Sequence, residues 1–118
     1  MRDYQKLDVW KKSHLMVLFV YSDILPMFPA SEKYDLYSQV KRAAYSVPLN
    51  IVEGAGRNSE QDFARFLDIA LGSCHEVEYA CLLANDLRYL NEDKYLEINN
   101  KINEVKAMLI GLLKRLRR

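Results

Sequence analysis

Apolar residues recur at alternating spacings of three and four along four stretches of the chain, and this periodicity restricts the chain to long amphipathic helices. The stripes are Leu7, Trp10, His14, Val17, Tyr21, Ile24 and Phe28; Tyr37, Val40, Ala44, Val47 and Ile51; Phe63, Phe66, Ala70, Cys74, Val77, Cys81 and Ala84; and Tyr95, Ile98, Ile102, Val105, Leu109, Leu112 and Leu116. Four glycines and three prolines among 118 residues leave few positions for turns. The sequence therefore predicts one all-α, four-helix domain over residues 1–118.

Capping residues place the predicted starts of the helices. Helix 1 runs from about Leu7 to Met27. Ser31, shortly after Pro29, is the N-cap candidate of helix 2. Ser59 opens helix 3 as the first residue of a near capping box, and Asn91 opens helix 4.

The predicted ends depend on glycine and proline. Helix 2 runs to about Glu53, because Gly54-Ala55-Gly56 supplies glycine for a left-handed cap. Pro48 lies inside this helix, where it removes one backbone donor and clashes with the carbonyl of Ala44, so we predict a kink and not a stop. Helix 3 continues to about Leu90.

Short connections between amphipathic helices favour an antiparallel, up-down-up-down bundle. This topology brings the N-terminus, the connection between helices 2 and 3, and the C-terminus to one end. The net charge is only +1, but residues 106–118 carry basic side chains and no acidic ones. The basic residues expected at this end are Arg2, Lys6, Lys11, Lys12, Arg57, Lys114, Arg115, Arg117 and Arg118.

Two interpretations of this basic end stay open. The cations bind phosphate, and several subunits present them together; or they complement the helix dipole and are simply solvated. Tyr4 and Trp10 lie nearby and are able to stack on bases, although Trp10 also fits the core stripe of helix 1.

The stretch from Arg42 to Gly54 contains small residues that permit a close helix approach, and Gly72-Ser73 is a matching feature of helix 3. Because a mid-helix glycine costs roughly 1 kcal/mol relative to alanine, we expect Gly72 to serve close packing. Asn50 and Glu53 lie where Pro48 frees a carbonyl, so they are read as structural groups or as part of a surface between subunits.

The run Leu15–Tyr21 adds apolar residues outside the stripe of helix 1. A helix with one face in solvent carries polar residues on that face and not apolar residues all round. We therefore expect the middle of helix 1 to be buried within the bundle and against a second subunit.

Several functions are not expected from the residues. His75-x-x-Glu78 reverses the order that di-metal bundles use, and it occurs once, so we predict no metal and no cofactor. His14 fits a core position and His75 a surface position, on different helices, and no phosphate-binding glycine loop follows a strand, so we predict no catalysis. The apolar runs are too short for a membrane span, no secretory leader is apparent, and free Cys74 and Cys81 suit a reducing compartment, which together predict a cytoplasmic protein.

Motifs along nearly the whole chain resemble the four-helix proteins encoded within intervening sequences of bacterial 23S ribosomal RNA genes. They are Tyr4-x-x-Leu7-x-Val9-Trp10, Phe28-Pro29-x-x-Glu32-x-Tyr34-x-Leu36, a central motif that includes Arg42, Ser46, Pro48, Asn50, Glu53 and Gly54, and a third-helix motif that includes Gly72, Ser73 and Glu76. His14 and Cys74-His75 depart from the usual family residues.

The resemblance implies a bundle that assembles into a homopentameric barrel. It extends to accessory proteins of diversity-generating retroelements, which use a basic surface to hold nucleic acid and a reverse transcriptase. We therefore expect a non-catalytic homo-oligomer that binds RNA or DNA through Lys6, Lys11, Lys12, Arg57, Lys114, Arg115, Arg117 and Arg118. The alternative is a scaffolding module that binds a protein partner and no nucleic acid.

Overall fold

The computed structural model describes all 118 residues and contains four long α-helices and no strand. The helices are α1 (Asp8–Phe19), α2 (Leu36–Ala55), α3 (Glu60–Asp86) and α4 (Glu92–Leu116). Beyond α1 the chain continues through a π-helical segment, Val20–Ile24, and 3-10 turns at Leu25–Met27 and Ala30–Glu32. A further 3-10 turn, Tyr4–Lys6, precedes α1. The predicted all-α bundle is confirmed.

The helices form a four-cornered bundle. α1 lies beside α2 and α4, and α3 lies beside the same two helices, whereas the backbones of the diagonal pairs α1–α3 and α2–α4 are farther apart. The outer side of α2 and α3 therefore faces away from the side formed by α1 and α4. One core of buried apolar residues draws on all four helices and on the segment after α1.

Two of the predicted N-caps are confirmed. The hydroxyl of Ser59 accepts a hydrogen bond from the backbone N–H of Asp62 at 3.1 Å. The side-chain oxygen of Asn91 accepts one from Lys94 at 2.9 Å. Each bond satisfies a donor that the first turn of a helix leaves free.

The predicted start of helix 2 at Ser31 is wrong. Ser31 lies in a 3-10 turn, and α2 begins at Leu36. The carboxylate of Glu32 accepts a hydrogen bond from the backbone N–H of Leu36 at 3.3 Å, so a glutamate in the preceding turn supplies the acceptor that was assigned to serine.

The predicted glycine cap of helix 2 is also wrong. The helix runs through Pro48 as predicted, but it includes Gly54 and ends at Ala55. Gly56 follows with a φ of −80°, and no glycine in the chain has a positive φ. Gly54 is needed for space instead, because a Cβ there would lie 2.8 Å from the Cβ of Phe66 and 2.9 Å from Cδ1 of Phe63.

Helix 3 ends at Asp86, earlier than the predicted Leu90. Arg88 adopts the left-handed conformation, with a φ of 66°. The N–H of Tyr89 donates to the carbonyl of Ala84 and the N–H of Arg88 to that of Asn85, both at 2.9 Å. These two bonds form the Schellman motif of helix ends, and Arg88 holds the left-handed position that is usually a glycine.

The buried stripes of helices 2, 3 and 4 match the predicted ones closely, but that of helix 1 is displaced. Ser13 and Met16 are fully buried, whereas His14 is exposed, so the predicted core position of His14 is wrong. The hydroxyl of Ser13 donates to the carbonyl of Trp10 at 2.9 Å, which satisfies it inside the core. The imidazole of His14 stacks on Trp10, with 5.0 Å between the ring centroids.

Candidate functional site

The two termini meet at one end of the bundle, which we call the terminal end. The backbone N–H of Arg2 donates to the carbonyl of Ala55 at the end of α2, at 2.7 Å. At the other terminus, Nη1 of Arg117 donates to Oδ1 of Asp68 on α3 at 3.0 Å. These contacts confirm the up-down-up-down topology and place the chain ends beside the connection between α2 and α3.

Five of the predicted basic residues form ion pairs at or near this end. The pairs are Arg2 with Glu60 at 3.2 Å, Lys11 with Asp8 at 4.0 Å, Lys12 with Glu104 at 2.9 Å, Arg57 with Glu53 at 3.6 Å, and Arg117 with Asp68. All of these side chains keep solvent exposure, so each pair contributes only about 0–1 kcal/mol to stability. The paired cations are partly neutralised within the chain.

The terminal end is therefore less uniformly basic than the sequence suggested. The prediction counted cations and left out Glu53, Glu60, Asp62 and Asp68, which lie among them. The guanidinium of Arg117 lowers the pKa of the Asp68 carboxyl by hydrogen bonding, which keeps that group charged.

Lys6, Lys114, Arg115 and Arg118 make no ion pair and are exposed. Three of them lie at the C-terminal end of α4, where a cation also complements the helix dipole. These four side chains are the part of the predicted set that is free to meet an external anion. Lys12 is different, since Glu104 lies three turns before the end of α4 and holds it on the side of the bundle.

A groove between α3 and α4, which sequence reasoning missed, adjoins the free cations. Its volume is about 590 Å³, and Leu71, Ile110 and Leu113 form an apolar floor. Lys114, Arg117, Arg118 and Asp68 line the same groove. Cations beside apolar surface fit a ligand that has both charge and flat apolar groups. The sequence carries only one signal for it, the exposed apolar position Ile110 in a mainly amphipathic helix.

Trp10 lies on the edge of the core and is half-buried. Tyr4 packs edge-on against it, with 5.0 Å between ring centroids, and His14 covers one of its faces. A base that stacks on this face would have to displace His14. The core position predicted for Trp10 agrees with this arrangement better than the stacking role.

The family-motif residues on α2 and α3 gather elsewhere, in a groove between these two helices. Arg42, Ser46, Asn50, Ser73 and Glu76 line a cavity of about 350 Å³. Pro48, Glu53 and Gly54 belong to the same central motif but do not line it.

Hydrogen bonds tie the base of this groove together. The hydroxyls of Ser46 and Ser73 lie 2.8 Å apart and bridge α2 to α3. Nδ2 of Asn50 donates to the carbonyl of Ser46 at 2.8 Å and to its hydroxyl at 3.0 Å. Asn50 therefore bonds to Ser46, and not to the carbonyl of Ala44 that Pro48 frees.

Gly72 does not pack against α2, contrary to our expectation. No atom lies within 4 Å of a Cβ built on it. The glycine that does serve close packing between these helices is Gly54.

Cys74 and Cys81 are free and buried, and burial raises the pKa of each thiol to about 12. No group of three or more histidine, cysteine, aspartate and glutamate side chains is placed to hold a metal ion.

No helix is both long and apolar enough to cross a bilayer.

Comparison with known proteins places the chain in a family. The model of the family described as 23S rRNA-intervening sequence protein matches residues 5–111. No curated protein matches. A crystal structure from Bacteroides thetaiotaomicron, described as a protein of unknown function from the S23 ribosomal protein family, has 28% sequence identity and a TM-score of 0.83. The match covers 90% of this chain and 98% of that one. The chain belongs to the 23S rRNA-intervening sequence protein family, which confirms the resemblance carried by its motifs.

Proposed function

We propose that this member of the 23S rRNA-intervening sequence protein family is a non-catalytic, cytoplasmic homo-oligomer, most simply a pentamer, that binds RNA or DNA at the terminal end. The observation that carries the proposal is the set of cations without an ion pair, Lys6, Lys114, Arg115 and Arg118, gathered where the chain ends meet. Phosphate is the ligand that such a set attracts. Assembly would multiply the set by the number of subunits, and the field would grow with it.

The paired cations have a different role in this proposal. Arg2, Arg57 and Arg117 each hold a carboxylate of the same chain. Because these pairs are exposed and weak, a phosphate is able to replace the carboxylate at small cost. The free cations set the affinity at low salt, and the paired ones add a smaller contribution.

The groove beside Lys114 and Arg118 suits a structured or single-stranded nucleic acid. Its cations meet the backbone, while Leu71 and Ile110 offer apolar surface to an unstacked base. In this proposal the cations contact phosphate, and phosphate contacts carry no sequence information, so we expect shape and charge to dominate recognition.

Salt dependence tests the proposal. If four free cations of one chain meet phosphate, the binding constant falls roughly 50- to 150-fold between 50 and 200 mM salt. The measurement is the fluorescence anisotropy of a labelled structured RNA, titrated with the protein at several salt concentrations. No retention of the RNA at 50 mM salt would overturn the proposal.

A matched pair of double variants locates the surface. Lys114→Gln/Arg118→Gln removes one lysine and one arginine from the terminal end. Lys33→Gln/Arg88→Gln removes the same residue types from the opposite end. We expect the first variant to lose affinity and to lower the salt slope by about 1.4–1.8, and the second to bind like the wild type. Equal losses in both variants would exclude a specific site at the terminal end.

The chemistry of the side chains supports a non-catalytic role. The thiolate is the reactive form of cysteine, and the raised pKa of Cys74 and Cys81 keeps both thiols protonated at neutral pH. His14 and His75 lie on different helices, and neither forms a hydrogen bond to a carboxylate that would orient it as a base.

The rival function is a scaffold for a protein partner. It is favoured by the apolar side chains that stand in solvent on several helices, including Leu15, Leu18, Leu49 and Tyr79. The RNA titration separates the two, since a scaffold whose charges serve only solubility gives no salt-dependent retention.

A further inference from the structure

Two arginines from different parts of the chain stack on one aromatic ring at the terminal end. Cζ of Arg57 lies 4.8 Å and Cζ of Arg65 lies 4.5 Å from the centroid of the Phe66 ring. Both distances are within the range of a cation–π contact. Phe66 is only half-buried, so part of its ring is on the surface. We call Arg57 and Arg65 the arginine pair.

Gly54 allows the fold to bring the arginine pair together. Because Gly54 has no side chain, the end of α2 approaches Phe66 so closely that a Cβ on the glycine would lie 2.8 Å from the Cβ of the phenylalanine. The backbone N–H of Arg57 donates to the carbonyl of Gly54 at 3.0 Å, which fixes this arginine beside the ring. Arg65 precedes Phe66 in α3 and reaches the ring from its own helix. The pair therefore depends on the close packing of α2 against α3.

The separation of the two guanidiniums suits one shared anion. The sum of their distances to the ring centroid, 9.3 Å, is the upper limit for the distance between the two Cζ atoms. Two guanidiniums that donate hydrogen bonds of about 2.8 Å to the same phosphate have Cζ atoms roughly 7–8 Å apart. The two side chains are 44% and 58% exposed, so they are free to make the remaining adjustment.

Most N–H donors of the arginine pair are available to a ligand. Nη2 of Arg57 lies 3.6 Å from Oε2 of Glu53, which is too long for a hydrogen bond. Nε of Arg65 donates to Oδ1 of Asp62 at 3.2 Å, and this contact leaves both Nη groups for another acceptor. A guanidinium has five N–H groups in a fixed fork. The pair therefore offers two forks to a tetrahedral anion.

Stacking on Phe66 prepares the arginine pair for binding. A guanidinium is planar and weakly hydrated, so it packs against an aromatic face while its N–H groups stay at the edge of the plane. Side chains that are already held against the ring lose less freedom when a ligand binds. A lysine at either position keeps the charge but lacks the planar fork.

The neighbouring carboxylates decide which kind of phosphate is preferred. Glu53 and Asp62 balance the two positive charges of the arginine pair. A phosphodiester has one negative charge, so its exchange for a carboxylate gives little net gain. A phosphomonoester has a charge of about −1.5 to −2 at neutral pH and three strong acceptor oxygens. The monoester therefore competes with the carboxylates better than an internal phosphate does.

We infer that Arg57 and Arg65, held on Phe66, form a binding site for the phosphomonoester at the end of a nucleic-acid strand. Internal phosphates bind the free cations of the terminal end, and the terminal phosphate binds the arginine pair. A 5′ and a 3′ phosphate share this chemistry, and the experiment distinguishes them. The inference rests on the proposed binding of nucleic acid and names the part of the strand that is recognised.

Three labelled single-stranded RNAs of one sequence test the inference. The first has a 5′ phosphate, the second a 3′ phosphate, and the third a hydroxyl at both ends. Their binding is followed by fluorescence anisotropy with the wild type, with Arg57→Lys/Arg65→Lys, and with the control Arg42→Lys/Arg88→Lys. Both variants keep the net charge, and the control changes two arginines that lie away from Phe66. Circular dichroism checks that each variant is helical.

We expect the wild type and the control to bind a phosphorylated RNA about tenfold more tightly than the hydroxyl RNA. The end whose phosphate gives this gain is the end that the site takes. Arg57→Lys/Arg65→Lys should bind all three RNAs with nearly equal affinity, because its charge is unchanged and its forks are lost.

The outcomes separate the inference from the proposed function. Equal binding of all three RNAs by the wild type would overturn the inference and leave the binding of nucleic acid in place. The same is true if Arg57→Lys/Arg65→Lys keeps the full preference, since the gain then comes from charge alone. If the wild type binds none of the RNAs, the proposed function is overturned and the inference with it.

A substitution of the ring gives a second measurement. Phe66→Leu keeps both arginines and removes the surface on which they stack. We expect this variant to lose most of the preference for the phosphorylated RNA, and a preference equal to that of the wild type would contradict the stacked site.

Discussion

Gly54 and Gly72 both lie inside helices, yet alanine at these positions is predicted to have different effects. A methyl group at Gly72 meets nothing within 4 Å. The substitution Gly72→Ala therefore gains only the helix propensity of alanine, about 1 kcal/mol in the free energy of unfolding of the subunit. At Gly54 the same gain is opposed by contacts of 2.8 Å and 2.9 Å with Phe66 and Phe63.

The obstacles at Gly54 are rigid, because they include a Cβ atom and the backbone carbonyl of Phe63 at 3.2 Å. Overpacking of this kind costs about 1–3 kcal/mol. Helix propensity cancels when the two variants are compared with each other, so Gly54→Ala should be less stable than Gly72→Ala by about 1–3 kcal/mol. For a domain of this length that difference corresponds to about 4–12 °C in Tm.

The assay is urea unfolding followed by circular dichroism, repeated at several protein concentrations so that any contribution of association to the midpoint is detected. The slope of the transition reports whether each variant unfolds from the same state. The reasoning is refuted if Gly54→Ala is as stable as Gly72→Ala or more stable.

Three further predictions follow from side chains described above. Because burial raises the pKa of the Cys74 and Cys81 thiols to about 12, native protein at pH 8 should react with a thiol reagent only at the rate of unfolding, and fast labelling would contradict their placement. Arg117 lowers the pKa of Asp68 below its ordinary 3.8, so this carboxylate contributes stability that is present above pH 3.8 and is lost as the pH falls through the lowered pKa. Asp68→Asn should therefore lose less Tm than the wild type when the pH is lowered through this range. The same fall of Tm with pH in both proteins would contradict the contact. His14→Ala should change the free energy of unfolding by about 0.5 kcal/mol or less, whereas a loss of 2 kcal/mol or more would show that His14 is a core residue.

The sequence predicted most of the architecture because helices 2, 3 and 4 each have one clear apolar face. Ser59 and Asn91 combine a capping side chain with the start of such a face, so their positions were found correctly. The end of helix 3 was missed because Arg88 takes a conformation that glycine usually signals.

Helix 1 was predicted out of phase for a related reason. Its middle, Leu15–Tyr21, is apolar on every side, so periodicity alone does not select which side faces the core. In addition, Ser13 is buried in the core, although its polar side chain predicted a position in solvent.

The candidate site was predicted only in part. The meeting of the chain ends follows from topology, which the stripes determine. The pairing of Arg2 with Glu60 and of Arg117 with Asp68 joins residues 58 and 49 positions apart, and no local pattern reveals such partners. The sequence indicated Arg42 and Glu76 only as members of two family motifs. It did not show that the two side chains line one groove.

The meeting of both chain ends at one tip has a practical consequence for anyone who works with this protein. A purification tag or a fluorescent protein at either terminus would stand over Lys114 and Arg118 and would screen them from a ligand. A small label attached to a side chain at the opposite end of the bundle, such as that of the exposed Lys33, leaves the cations of the terminal end open.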